Sequence, residues 1–225
     1  DPAEAEAQLR ALLKRAAAEK RPVSIAGASH SMGGHTIAPG GIAVQTLAFR
    51  HMTLDERANI LTVGSGAVWA DILPYLDAHG RSVAVMQSNN SFTVGGSLSV
   101  NCHGWQAGNG PFVTTVESFR LMTADGEVRT CSRGENAELF GLVAGGYGLF
   151  GVVLDVRLRV VPNVRYRVEQ AIFPAERYEA EFAARVAAGG GEMAFGRLCV
   201  VPGERTFLRE AILTSFHPDP PADGV

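Results

Sequence analysis

Cysteine is scarce in this chain, and what there is carries no pattern. Cys102, Cys131 and Cys199 are the whole complement of 225 residues. None has zinc-ligand spacing, and an odd number suggests no disulfide framework. A metal site is therefore not expected. Basic residues are in slight deficit, 20 Lys and Arg against 23 Asp and Glu, for a net charge of −3. With no basic block, nucleic acid is not the expected partner. No apolar run approaches the ~20 residues a membrane span needs. Residue 1 is Asp and no signal-peptide pattern follows, so the expectation is that any targeting segment was removed or never existed. The reading is a soluble protein, its compartment left open with the cytoplasm favoured.

A dinucleotide fingerprint of the doubly wound kind is also missing. Gly64-Ser65-Gly66 follows a strand pattern and precedes a helical one, but Trp69 stands where the third glycine belongs. Gly146 to Gly151 follows a helical pattern and precedes a strand, which is the wrong order. Strands and hairpins with few crossover helices favour an α+β fold.

Glycine is what the chain has in excess. Its 26 glycines are about 12% of the residues, against a usual ~7%. They cluster at 33–34, 40–41, 64–66, 95–96, 145–151 and 189–191. Such clusters between strands read as turns and close backbone approaches to a ligand. Two of them carry histidine: Ile25 to Gly34, with His30, and Thr93 to Gly104, with His103. Two glycine loops in one short domain suggest a diphosphate held from both sides.

The rest of the chain reads as ordinary elements. Asp1 caps an opening helix with Pro2 at its first position and Leu9, Leu12, Leu13 and Ala16 on one face. Strands are expected at 22–26, 42–46, 59–63 and 83–86, and a helix at 68–78. Asp125-Gly126 closes a hairpin of 115–123 with 128–131. Over 154–160, Leu154, Val156, Leu158 and Val160 alternate with Asp155, Arg157 and Arg159, predicting one buried and one wet face. After Pro162-Asn163 come a strand (166–173), a helix (176–188), two strands (193–201 and 206–213) and a turn-rich tail from His217. The chain is expected to stop inside a domain. Trp69 and Trp105 read as packing residues, Asp55-Glu56 as a solvated turn, and Cys102 and His103 as strand neighbours facing opposite ways.

Four motifs together resemble a known family. Gly27 to Gly34, followed by Ala38-Pro39-Gly40-Gly41, resembles the first loop of cytokinin dehydrogenases and of aldonolactone or alditol oxidases. Thr93-Val94-Gly95-Gly96 is similar to the second loop of the whole vanillyl-alcohol oxidase / p-cresol methylhydroxylase flavoprotein superfamily. Asn136 to Phe140, then Gly145 to Val153, resembles the stretch that ends its FAD domain near the adenine. The motifs stand in family order over about residues 1–165. The resemblance implies a two-subdomain, PCMH-type FAD-binding fold there, with 166–225 beginning an α+β substrate (cap) domain.

It also implies a set of contacts to FAD. His30 corresponds to the histidine bonded in many members to the 8α-methyl of the isoalloxazine ring, for which a neutral imidazole is a competent nucleophile. Around it, Ala26, Gly27, Ala28, Ser29, Ser31, Met32, Gly33 and Gly34 form the first jaw. Ser88, Thr93, Val94, Gly95, Gly96, Ser97, Ser99, Asn101 and His103 form the second, with Gly151 and Val152 at the domain's end. Backbone N–H groups of both jaws are expected to hold the diphosphate. His35 is the rival histidine, and no cysteine in Ser88 to Phe92 offers a second tether. His103-Gly104 is similar to a dipeptide of the sugar-oxidising members. The implied activity is transfer of a hydride from an alcohol C–H of a sugar, polyol or lactone to flavin N5, with molecular oxygen or another acceptor reoxidising it. Amine oxidation of the cytokinin kind, a reductase with non-covalent FAD, and a non-catalytic flavin-binding module remain the alternatives. The catalytic base is expected outside these residues.

Overall fold

The computed structural model describes residues 2–187 and 193–219. Asp1, the expected turn at 189–191, the end of the helix expected at 188, and residues 220–224 of the expected tail lie outside the described residues. Contacts divide the chain into two compact units, residues 1–104 with 110–162, and residues 105–109 with 163–225. Among the described residues no helix is long and apolar enough to cross a membrane.

The first unit opens with helix α1 (Pro2–Ala18), which buries Leu9, Leu13 and Ala16 along one face. Strand β1 (Val23–Ala26) runs parallel to β2 (Ile42–Gln45) in a sheet of two, and the first glycine loop lies between them. Then follow β3 (Met52–Asp55), β4 (Ile60–Gly64), α2 (Trp69–Asp77), β5 (Arg81–Val83), α3 (Val94–Ser99), β6 (Val116–Met122), β7 (Val128–Ser132), α4 (Ala137–Val143) and β8 (Val152–Pro162). The larger sheet has the order β3-β4-β8-β6-β7, with β5 paired to β8. Every pairing in it is antiparallel. The fold is therefore a mixed helix-and-sheet one, without the parallel sheet of a doubly wound domain.

Both faces of that sheet are covered. On one, Leu61, Val63, Phe119, Val156 and Leu158 pack with Trp69, Ile72, Leu76, Leu98 and Phe140 from the helices. On the other, Leu9 and Leu13 of α1 pack with Met122, Val152 and Leu154. The β6–β7 hairpin closes at the expected turn, where Asp125 Oδ1 accepts from the Thr123 hydroxyl and the Glu127 N–H. The Thr123 hydroxyl above all holds the Asp125 carboxyl below its usual range.

The structure corrects the expected alternation of β8. Its pairing with β6 shifts between Arg120/Asp155 and Leu121/Val153, so Leu154 is the extra residue of a β-bulge. Leu154 joins the α1 side while Val156, Leu158 and Val160 stay on the other. Asp155, expected in water, is only 5% exposed. It is held there by Arg120, whose Nε lies 2.9 Å from Asp155 Oδ2 and whose Nη2 touches the same oxygen and reaches Glu6 at 2.7 Å. Asp155, foremost, keeps the guanidinium charged well above its ordinary range. His51 Nε2 stands 3.9 Å from the same Oδ2.

Other boundaries move as well. The strand expected at 83–86 occurs at Arg81–Val83, and residues 95–96 lie in a helix. Residues 102–103 are not in a strand, so strand alternation does not separate Cys102 from His103. Cys102 is half-buried with its Sγ 2.9 Å from Gln87 Oε1, and burial pushes the thiol up.

The second unit holds β9 (Tyr166–Pro174), α5 (Tyr178–Ala187), β10 (Met193–Leu198) and β11 (Glu210–Pro218). The sheet order is β10-β11-β9, antiparallel throughout. Tyr178, Phe182 and Val186 pack on Phe173, Ala194, Ala211 and Leu213 of one face. On this sheet Trp105 stacks against Phe195 and Phe216, with ring centroids 4.3 and 5.8 Å away. The strand expected at 206–213 begins later, because residues 199–209 form a loop closed by Cys199 N–H to Glu210 O and Leu208 N–H to Cys199 O. His217, expected in the tail, pairs with Arg167 inside the sheet.

Replacing Arg120 by Ala leaves the buried Asp155 carboxylate without its main partner. A loss of about 3 kcal/mol is expected, the low end for such a break because Arg120 is partly in solvent. Urea unfolding measures it, and Arg120→Met with Asp155→Leu is expected to regain most of the loss.

Candidate functional site

The two glycine loops meet at Gly27 and Thr93. A Cβ on Gly27 would lie 2.3 Å from Thr93 Oγ1, closer than any real contact, so only glycine admits this approach. Thr93 is 2% exposed and caps α3, its Oγ1 accepting the Gly96 N–H at 3.2 Å. Val68 and Thr93 form a bridge, so α3 is pinned against the turn after β4. That turn is itself built on close approach, since a Cβ on Gly66 would fall 1.8 Å from Thr46 O. Gly64-Ser65-Gly66 is thus a packing turn, and it carries one residue of further interest.

Four N–H groups at the start of the second loop are already engaged. Val94 donates to Ala67 O at 3.0 Å, Gly95 to Ser65 O at 2.7 Å, Ser97 to Thr93 O at 2.9 Å, and Gly96 to the cap. These four amides are therefore not free to hold an anion. The first loop is the opposite case. Among the described residues, no acceptor is found for any backbone N–H from Ala28 to Thr36. Ser29 there has φ 59, the left-handed conformation that turns successive N–H groups into an anion-binding concavity.

Between the loops lies a small cleft of about 110 Å³ that opens to solvent. Its walls include Gly27, Ser31, His35, Ser65, Gly95, Gly96, Ser99, Tyr147 and Gly151. Ser65 is 2% exposed, and its hydroxyl has no hydrogen-bond partner among the described residues. A buried, unpaired hydroxyl costs about 1–3 kcal/mol, so a ligand oxygen there would satisfy it. Among the described residues no lysine or arginine lines the cleft. Free backbone N–H groups, an orphaned hydroxyl and close approach at Gly27, Gly95, Gly96 and Gly151 fit the diphosphate of FAD. Ser65 was not singled out from the sequence, because its exposure to the cleft depends on Gly95 lying over its backbone.

The expected site residues divide into three groups. Gly27, Ser31, Gly95, Gly96, Ser99 and Gly151 line the cleft. Ala26, Ala28, Ser29, Met32, Gly33 and Gly34 shape the first loop without lining it, and Met32 is fully exposed. The remainder is elsewhere. Val94 is in the core, and Val152 packs on the α1 side. Ser97 is 1% exposed, with its hydroxyl accepting from Trp69 Nε1 and lying near Thr93 O and Gln87 Oε1. Asn101 Oδ1 accepts the Val113 N–H. Ser88 is exposed, and so is His103, whose Nδ1 is 3.2 Å from Gly104 O.

His30 sits outside the cleft lining, where the loops face each other a second time. Its Nε2 is 2.8 Å from Ser91 Oγ, and its ring meets Phe92 edge-on at 4.4 Å. His35 lines the cleft, 6.4 Å from the Tyr147 ring. Among the described residues no group of three His, Cys, Asp or Glu could hold a metal ion.

Comparison with known proteins agrees with this geometry. Residues 3–132 match the sequence profile of the FAD binding domain. Cytokinin dehydrogenase 7 of Oryza sativa subsp. japonica is 34% identical over 147 residues, 63% of this chain and 28% of its own. Cytokinin dehydrogenase 2 of Arabidopsis thaliana is 34% identical over 155 residues, 68% of this chain and 31% of its own. L-gulonolactone oxidase of Bos taurus is 28% identical over 168 residues, 75% of this chain and 38% of its own. The chain thus spans about a third of the length of these relatives.

Gly27→Ala is expected to cost about 1–3 kcal/mol by overpacking, and Thr93→Ala about 1 kcal/mol by loss of the cap. The double variant should cost less than the sum, by about 1 kcal/mol, because removing Thr93 Oγ1 makes room for the new methyl; a thermal-unfolding cycle reads the coupling. Ser65→Ala is expected to leave the FAD-free chain as stable or slightly more so. In a His30→Ala background it should weaken FAD by roughly tenfold, about 1.4 kcal/mol by titration.

Proposed function

This chain belongs to the FAD binding domain family, within the PCMH-type flavoprotein superfamily, and from that premise we propose an FAD-dependent oxidoreductase that takes a hydride from an alcohol C–H of a sugar, polyol or lactone. Bound FAD supplies a two-electron acceptor, and the chain's part is to hold, orient and enclose it. The observation that carries the reading is the cleft between the two glycine loops, with its unpaired Ser65 hydroxyl and the unengaged N–H groups of the first loop. In this proposal those N–H groups and Ser65 bind the diphosphate. The Gly27–Thr93 contact keeps the loops at the spacing the cofactor needs. His30 carries the covalent link to the ring's 8α-methyl. Residues 1–165 are assigned to FAD and 166–225 to the substrate side, with a small molecule as substrate and oxygen or another acceptor as the outlet for electrons.

A second reading has an observation behind it. Relatives that match this chain equally well bear the name cytokinin dehydrogenase, so a cytokinin is the competing donor. Likewise His35, which lines the cleft, competes with His30 for the link.

Acid precipitation of the FAD-loaded protein separates these outcomes. Wild type and His35→Ala are expected to keep flavin colour in the pellet, and His30→Ala to release it to the supernatant. Colour kept in the His30→Ala pellet would move the bond elsewhere. Anaerobic mixing with an aldonolactone or polyol should bleach the flavin absorbance; bleaching by a cytokinin alone would overturn the alcohol reading.

A further inference from the structure

We infer that Asn89 and Ser91 hold the His30 ring as the tautomer protonated on Nε2, leaving Nδ1 as the nitrogen with a free lone pair. The consequence for function rests on the reading of His30 as the tether. The assignment of the proton follows from hydrogen bonding alone.

The chain of reasoning starts at a backbone donor. The Ser91 N–H is directed at Asn89 Oδ1, 2.9 Å away, so this atom is the amide oxygen and the amide is not reversed. The same oxygen lies 2.7 Å from Ser91 Oγ. Two oxygens at that separation need a proton between them. An amide oxygen carries none, so the Ser91 hydroxyl supplies it. That uses the only proton Ser91 Oγ has. Toward His30 Nε2, at 2.8 Å, Ser91 Oγ can then act only as acceptor, and the donor is Nε2–H. A neutral imidazole has one N–H, so Nδ1 is unprotonated. No other hydrogen bond to His30 is found among the described residues. Phe92, edge-on to the ring with an interplanar angle of 71°, restrains its rotation.

The opposite tautomer would require Ser91 to turn its proton to Nε2. Ser91 Oγ and Asn89 Oδ1 would then face each other at 2.7 Å with lone pairs only. Two groups from the second loop therefore decide which nitrogen of the first loop's histidine is nucleophilic. Bond formation at Nδ1 exchanges one C–H of the 8α-methyl for a C–N bond. The proton leaves to solvent, and the electron pair is taken up by the acceptor of the proposed reaction, molecular oxygen or another two-electron oxidant. The ring becomes an imidazolium whose remaining N–H still points at Ser91 Oγ, itself polarised by the Asn89 carbonyl. Asn89 and Ser91 are thus positioning residues for the attachment.

The test labels the histidines of the whole chain with 15N and reads the tautomer by long-range 1H–15N correlation before FAD is added. Attachment is then followed aerobically by intact mass after denaturation. Wild type is expected to show His30 protonated on Nε2. In Ser91→Ala and Asn89→Ala the two ring nitrogens should move toward an average, and attachment should slow roughly tenfold or more, as expected for a misplaced nucleophile. Asn89→Asp keeps an acceptor for both Ser91 donors and should retain the wild-type pattern and rate. A wild-type His30 protonated on Nδ1, or an unchanged tautomer in both alanine variants, would overturn the inference. The expected tautomer in a wild-type chain that gains no covalent mass supports the inference and removes the tether reading instead.

Discussion

The approach of Gly27 to Thr93 is the contact on which the rest of the site depends. It brings backbone from the end of one strand against a helix cap from elsewhere in the sequence, with no space for a side chain between them. From it follow the pinning of α3, the position of Gly95 over Ser65, and the cleft that both loops bound. Glycine is demanded here by a neighbour rather than by a turn. The cost of ordering so much glycine in the folded state is offset by the cores on either face of the larger sheet, which hold the strands that carry the loops.

The two loops divide the work unequally. The second is in part a structural jaw: its amides at 94–97 are engaged with Ser65, Ala67 and Thr93, and its serine at 97 serves the indole of Trp69. The first is the jaw with donors to offer. An anion held by backbone dipoles and one hydroxyl needs no lysine, and among the described residues no lysine or arginine is on the cleft walls. Near His30 the roles combine again, because Ser91 and Phe92 of the second jaw orient the first jaw's histidine.

Much of the architecture was legible because its causes are local. Asp125-Gly126 turns a hairpin wherever it lies between two β-prone runs, and the spacing of Leu9, Leu13 and Ala16 makes a helix face without help from the rest of the chain. The alternation in β8 failed for a non-local reason: a bulge opposite β6 shifts Leu154 to the other face, and Arg120 together with Glu6 makes burial of Asp155 affordable. The late start of β11 has a similar origin, in hydrogen bonds that close a loop across ten residues. Ser65 escaped notice because nothing in Gly-Ser-Gly says whether its hydroxyl will find a partner.

Sequence alone determined the chemistry on offer: where glycine permits close approach, which loops carry histidine, and the membership in a flavin-binding family that four motifs in register convey. Those properties reside in residue identity and short-range spacing. Tertiary structure decided which groups remain free to act. Whether an amide is available, a hydroxyl orphaned or an imidazole proton fixed depends on partners far along the chain, such as Ser91 for His30, 61 positions away. Hydrogen-bond satisfaction is a property of neighbours in space, and only the fold supplies them.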